Sequence, residues 1–159
     1  MQKITSLAKK LANDLTKKPG LAHLTLQQGE MFGWDHTACT ITYRVDEPHA
    51  IAYLLHECGH ALLGHAEYKR DIELLPMERA AWDEALVLAA QYTLAIDTDL
   101  IEDALDTYRD WLHARSLCPT CEATGIQTAP QTYTCLACHH KWRVNEARSC
   151  ALRRYSKQT

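Results

Sequence analysis

The chain has 159 residues, with 17 Lys and Arg against 20 Asp and Glu and a hydrophobic fraction of 47%. That length suits one domain, or one domain with a small appendage, and the composition excludes a disordered chain, a collagenous repeat and a coiled-coil rod. Nine His and seven Cys are many for so short a chain, and both are metal-ligand types. The charge is uneven: residues 1–70 carry net +1, residues 71–112 net −9 and residues 113–159 net +5. This shift places a boundary near 113–117 and predicts a core over 1–115 and a basic appendage over 116–159.

The first residues, MQKITSLAKKLANDLTKK, contain no apolar core and no small-residue cleavage site. No stretch approaches the ~18 apolar residues of a membrane span. Four of the seven cysteines form two CxxC pairs. Without a secretion signal, that pattern points to metal rather than to disulfides. The expectation is a cytoplasmic protein with no membrane association.

In chain order, Ile4, Leu7, Leu11 and Leu15 form a helical stripe, with Thr5 or Ser6 as a cap and Pro19-Gly20 as the stop. Leu24 and Leu26 alternate with polar neighbours as in a short strand, and Gly33 breaks the segment that follows. Thr37 to Val45 is rich in β-branched and aromatic residues, the best strand in the chain, and is expected to lie at a sheet edge. Asp46-Glu47-Pro48 begins a helix from about Pro48 to Leu63, ended by Gly64. A further helix runs from about Met77 to Thr93. Asp97-Thr98 caps a last one through Ile101, Leu105, Tyr108 and Leu112. From Cys118 onward, turn residues and paired cysteines replace helical periodicity.

His56-Glu57-Cys58-Gly59-His60 is an HExxH motif inside the second predicted helix. Residues four apart share a helical face, so both imidazoles can reach one ion. Glu57, offset by one position, stands where it can take a proton from a metal-activated water. The flanking residues Ile51, Ala52, Leu54, Leu55, Ala61, Leu62 and Leu63 are apolar, as a buried helix requires. A catalytic zinc needs a third protein ligand. The sequence offers Glu78, His65 and, less well, Asp83 or Glu84. His65 does not stand at the offset of the third His in the metzincin pattern HExxHxxGxxH. Glu78 follows His60 by enough chain for a turn and an antiparallel return, on the helical face of Ala81 and Ala85. Those small side chains permit close approach. Tyr43, Tyr53 and Tyr92 are aromatic neighbours of these segments, and none of them is assigned a catalytic role.

The stretch from His56 to His65, followed by Glu78-Arg79-Ala80-Ala81-Trp82-Asp83-Glu84-Ala85, resembles the ImmA/IrrE family of bacterial and phage metallopeptidases. The similarity covers roughly residues 30–95. That family pairs an HExxH helix with a downstream Glu-x-x-Ala helix whose Glu completes the zinc site. Its members usually carry Asn where this chain has Trp82, and Phe near Glu84. The resemblance implies an α+β, zincin-like core of helices packed on a short antiparallel sheet. It also implies a gluzincin-type site of His56, His60 and Glu78 with Glu57 as base. The implied activity is limited proteolysis of a protein, often a helix-turn-helix repressor.

Cys118-Pro119-Thr120-Cys121 and Cys135-Leu136-Ala137-Cys138 give CxxC-x13-CxxC, the pattern of a zinc ribbon closed by four thiolates. A closed site is structural, and a segment this short needs its metal in order to fold. Thr132 to Thr134 reads as a strand, and Trp142 as the aromatic packed over the ribbon. His139, His140, Lys141, Arg143, Arg148, Arg153, Arg154 and Lys157 give a basic surface. It suits nucleic-acid phosphates, the acidic 71–112 region or a protein partner. Cys39, Cys58 and Cys150 are left over, Cys58 as a small apolar residue of the HExxH helix.

Three functions follow as expectations. The first is a zinc endopeptidase of restricted specificity, with one catalytic and one structural Zn2+ and a ribbon that recruits a protein substrate such as a transcriptional regulator. The second is a protease acting on DNA-bound proteins. The SprT-like proteases, which the chain also resembles, join HExxH to a C-terminal ribbon, but their third ligand is a downstream His in a Gly-His-Gly-like stretch. Here only His65 and His113 are candidates for it. The third is a binding module in which the HExxH metal is structural.

Overall fold

The computed structural model describes residues 2–146 and 152–156. Arg148, Cys150 and Lys157 lie outside the described residues. The described residues form an α+β chain of four helices and two small sheets. It divides into two compact units, one of Met1–Glu67 with Met77–Ile101 and one of Tyr68–Pro76 with Glu102–Thr159. No helix among the described residues is long and apolar enough to cross a membrane.

The first unit opens with α1 (Gln2–Leu15). Its buried stripe is Ile4, Ala8, Leu11 and Leu15, with Leu7 only half-buried, and Thr5 and Ser6 lie inside the helix rather than capping it. Strands β1 (Thr25–Gln28), β2 (Gly33–Asp35) and β3 (Thr40–Tyr43) form one sheet in the order β1-β3-β2. Two expectations are corrected here. The β-rich segment is the central strand, not an edge. The sheet is also mixed rather than antiparallel, because β1 pairs parallel with β3 while β2 pairs antiparallel. Ile41 and Tyr43 point into the core, and the exposed edges are β1 and β2.

Helix α2 (Ala50–Leu62) carries the HExxH motif and is buried along most of its length. Helix α3 (Asp71–Gln91) begins six residues before the expected Met77, with Pro76 inside it. The early start is stabilised at its N-terminus. Glu73 Oε2 accepts the N–H groups of Lys69 and Arg70, at 2.9 and 3.3 Å, and Gln127 Oε1 accepts that of Asp71 at 2.7 Å. The Arg70 and Asp71 groups are among the donors that a helix start leaves without intrahelical partners, and the Lys69 bond anchors the residue before them. Helix α4 (Thr98–Ser116) starts where Asp97 Oδ1 accepts the Asp99 N–H, and it runs past Leu112 without a break.

In the second unit, strands β4 (Gly125–Ala129), β5 (Thr132–Cys135), β6 (Lys141–Val144) and β7 (Arg154–Ser156) form an antiparallel meander. Its inner face presents Tyr133, Trp142 and Val144, clustered with Cys118 and Cys135. The same unit buries a polar network. Arg115 Nε donates to Asp71 Oδ2 at 2.8 Å, and Tyr133 Oη donates to the same oxygen. Arg115 also donates to the Asn145 carbonyl, and its own carbonyl accepts from Trp142 Nε1. The Arg115 and Asp71 side chains are 2% and 9% exposed, so neither charge has water as an alternative partner. Removing one member of a buried pair leaves the other unpaired, at a cost of about 3–5 kcal/mol. Arg115→Ala should lower the stability of this unit by that amount, measured by urea denaturation of the full chain. A loss under about 1 kcal/mol, the range of surface pairs, would show that the pair is solvated.

Candidate metal centres

Among the described residues, two groups of side chains stand close enough to hold an ion, His56–His60–Glu78 and Cys118–Cys121–Cys135–Cys138. The first is buried at all three positions. His56 and His60 lie one turn apart on α2, and Glu78 comes from α3. Two glycines explain how these segments meet. Gly59 sits where α2 meets α3: a Cβ built there would be 2.2 Å from the Ala81 carbonyl oxygen, so only glycine permits this backbone separation. Gly64 ends α2 at φ +64. Its N–H bonds the Ala61 carbonyl and the His65 N–H bonds the His60 carbonyl, a Schellman termination that folds His65 back beside His60.

The donor atoms form a small triangle. His56 Nε2 lies 3.1 Å from Glu78 Oε2 and 3.1 Å from His60 Nε2, and His60 Nε2 lies 3.4 Å from Glu78 Oε2. Tetrahedral ligands about 2.0–2.1 Å from one ion are separated by about 3.3 Å, so the three atoms fit a shared ion. Electrostatics point the same way. Burial pushes His56 below the usual imidazole value, against the pull of Glu78, which favours the neutral ring that a metal requires. Burial opposes the Glu78 charge, but the two imidazoles beside it prevail and hold its carboxyl well below the usual range. The His56 ring stacks on Trp82, with centroids 4.2 Å apart, and Tyr53 lies edge-on to Trp82 at 6.0 Å.

His65 is not in the triangle. Its Nδ1 lies 2.8 Å from His60 Nδ1, the ring nitrogen of His60 that faces away from the triangle. Its carbonyl accepts from Trp34 Nε1 at 2.8 Å, which ties it to β2. Of the four third-ligand candidates, the fold therefore brings Glu78 to the donors and puts His65 behind one of them, while Asp83 and Glu84 are not grouped with the two imidazoles. Glu57 follows His56 on the same helix and is half-buried. Tyr43 is buried in β3, and Tyr92 donates to Asp14 Oδ2 at 2.8 Å beside an open groove of about 570 Å3 that contains none of the three donors. The stacking of Trp82 on His56 and the contact of His65 with the outer nitrogen of His60 are not legible in the sequence. A glycine in the middle of an apolar helix was the available signal for the helix contact.

The four cysteines form the second centre. Cys118–Cys138, Cys121–Cys135 and Cys121–Cys138 have Sγ···Sγ distances of 3.6, 3.5 and 3.5 Å. These are far from the ~2.05 Å of a disulfide and close to the ~3.8 Å expected of thiolates about 2.3 Å from a tetrahedral ion. The two knuckles share a backbone design. Glu122 N–H bonds the Cys118 carbonyl, His139 N–H bonds the Cys135 carbonyl, and both residues have left-handed φ, 60 and 61. The N–H groups of Cys138 and Ala137 hold the Cys135 thiol down at about 6, with desolvation opposing them. Cys58 is fully buried, and burial pushes its thiol up, as suits an apolar packing residue.

Comparison with protein-family models, curated proteins and solved structures finds no match. Two predictions follow from the geometry. Gly59→Ala should separate α2 from α3 and reduce bound metal from two ions per chain to one, by elemental analysis; two ions retained would show that the contact is not needed. His65→Ala should weaken metal binding at His56 and His60 by about 10–100-fold in chelator competition, as for loss of a group that orients a ligand. Complete loss of that ion would instead make His65 a ligand.

Proposed function

We propose that the protein is a zinc-dependent endopeptidase that makes a restricted cut in a protein substrate, of the ImmA/IrrE-like kind it resembles. The observation that carries this reading is the convergence of His56, His60 and Glu78 on one point, with Glu57 next to His56. Two imidazoles and one carboxylate suit zinc with one position left for water. Bound there, the ion would supply Lewis acidity, lowering the pKa of its water towards about 7 and polarising a peptide carbonyl. Glu57 would take the proton from the attacking water and pass it to the departing amine. His65 would hold the His60 ring in position, and Trp82 the His56 ring. Four thiolates leave no water position, so the ribbon zinc would be structural.

A regulatory protein such as a helix-turn-helix repressor is the proposed substrate, and the cytoplasm the proposed location. A carboxylate as the third donor favours this reading over the SprT-like one, which would place a downstream His there. The test uses the zinc-loaded full chain and a peptide library from a digested proteome, with cut sites read by mass spectrometry. Glu57→Gln should retain both zinc ions and lose cleavage by a factor of about 10²–10⁴. Equal cleavage by Glu57→Gln would refute the mechanism, and no cleavage by the unaltered chain would favour a structural role for the metal.

A further inference from the structure

The four-stranded sheet of the ribbon has two unlike faces. Residues directly opposite in an antiparallel pair share a face. Trp142 is opposite Tyr133 and Ser156, and Val144 is opposite Arg154, so these residues lie on the inner face. Lys141 is opposite Thr134, which is opposite Ile126. Arg143 is opposite both Thr132 and Tyr155. The outer face therefore carries Lys141, Arg143, Tyr155, Ile126 and Thr134 in adjacent rows, with Thr132 buried beside them.

Three properties of this face stand out. Lys141 and Arg143 are exposed, and no ion pair to either is present among the described residues. The segments GIQTA, TYTC, KWRV and RYS contain no acidic residue, so nothing in the four strands neutralises these cations. Tyr155 and Ile126 are 52% and 49% exposed, an aromatic ring and an aliphatic chain presented to water beside the charges. Arg153, two residues before Tyr155, is exposed as well. Arg154 differs: it donates to the Leu117 carbonyl at 3.0 Å, so part of its bonding capacity serves the fold.

We propose that the outer face binds a single-stranded nucleic acid, with Lys141 and Arg143 on its phosphates and Tyr155 stacked on a base. Alternate residues of one strand are about 6–7 Å apart, on the scale of the repeat of an extended sugar–phosphate backbone. Unpaired bases expose the flat surfaces that an aromatic platform engages, while the cations follow the backbone without regard to sequence. An acidic peptide would satisfy the cations and leave the ring without a stacking partner. This inference is independent of the peptidase reading, since no residue of the His56 site takes part.

The experiment is fluorescence anisotropy of a labelled oligothymidylate with the zinc-loaded full chain over a range of KCl concentrations. Binding should be clear at low salt and fall as salt rises. Lys141→Glu with Arg143→Glu should weaken it at least tenfold. Loss of two phosphate contacts should flatten the logarithmic salt slope by about 1.4. Tyr155→Ala should weaken binding about tenfold with the slope unchanged, and Tyr155→Trp should restore it, as stacking requires. Lys9→Glu, on α1, should have no effect. Zinc content of each variant reports that the ribbon is intact. Absence of binding at low salt would overturn the proposal. So would equal binding by Tyr155→Ala together with competition by polyglutamate as strong as by the oligonucleotide, which would identify a surface for acidic polypeptide.

Discussion

The contact between the backbones of α2 and α3 at Gly59 and Ala81 is the constraint on which the first unit depends. An HExxH helix aligns two imidazoles by its own periodicity, but a third donor has to come from elsewhere in the chain. Glu78 reaches the imidazoles because no side chain separates the two helices at Gly59. Trp82, the neighbour of Ala81, covers the His56 ring from the same segment. One close approach therefore supplies both the third donor and the wall that orients the first. The cost is a glycine inside a helix, about 1 kcal/mol relative to alanine, which packing must offset.

The second unit meets a different difficulty. Its sheet is small, and its apolar cluster is limited to a few side chains. Four thiols lie within 4.8 Å of one another, three of their separations at 3.5–3.6 Å, so that one shared ion would supply a cross-link that the core cannot. The buried Asp71–Arg115–Tyr133 network then ties the inner face to the helical segments of the same unit. With the inner face occupied in this way, the outer face keeps Lys141, Arg143 and Tyr155 exposed.

What was legible in the sequence was local. The HExxH helix, the two knuckles and the α1 stripe follow from spacings of three or four residues. The nearness of Glu78 was legible from Ala81 and Ala85, because small residues on one helical face imply a close neighbour. What was hidden depended on pairing across the chain. β2 is three residues long and begins at Gly33, so it read as a break, and without it β3 looked like an edge. The start of α3 was hidden behind Pro76, because the groups that satisfy its first N–H donors include Gln127, far along the chain. Sequence leaves His65 open as an alternative to Glu78, because the turn at Gly64 that sets it beside the outer nitrogen of His60 is a matter of backbone geometry. The basic residues of the ribbon looked like one cluster; strand register, which the sequence does not display, sends Arg143 and Arg154 to opposite faces.

The central claim is an open, three-donor zinc site at His56, His60 and Glu78. Its most direct test is anomalous diffraction at the zinc edge from crystals of the full chain. Two zinc peaks are expected, one among the four cysteines and one bonded to the two imidazoles and the Glu78 carboxylate, with a non-protein oxygen as its fourth ligand. A peak absent from the His56 site, or one closed there by a fourth protein ligand, would contradict it.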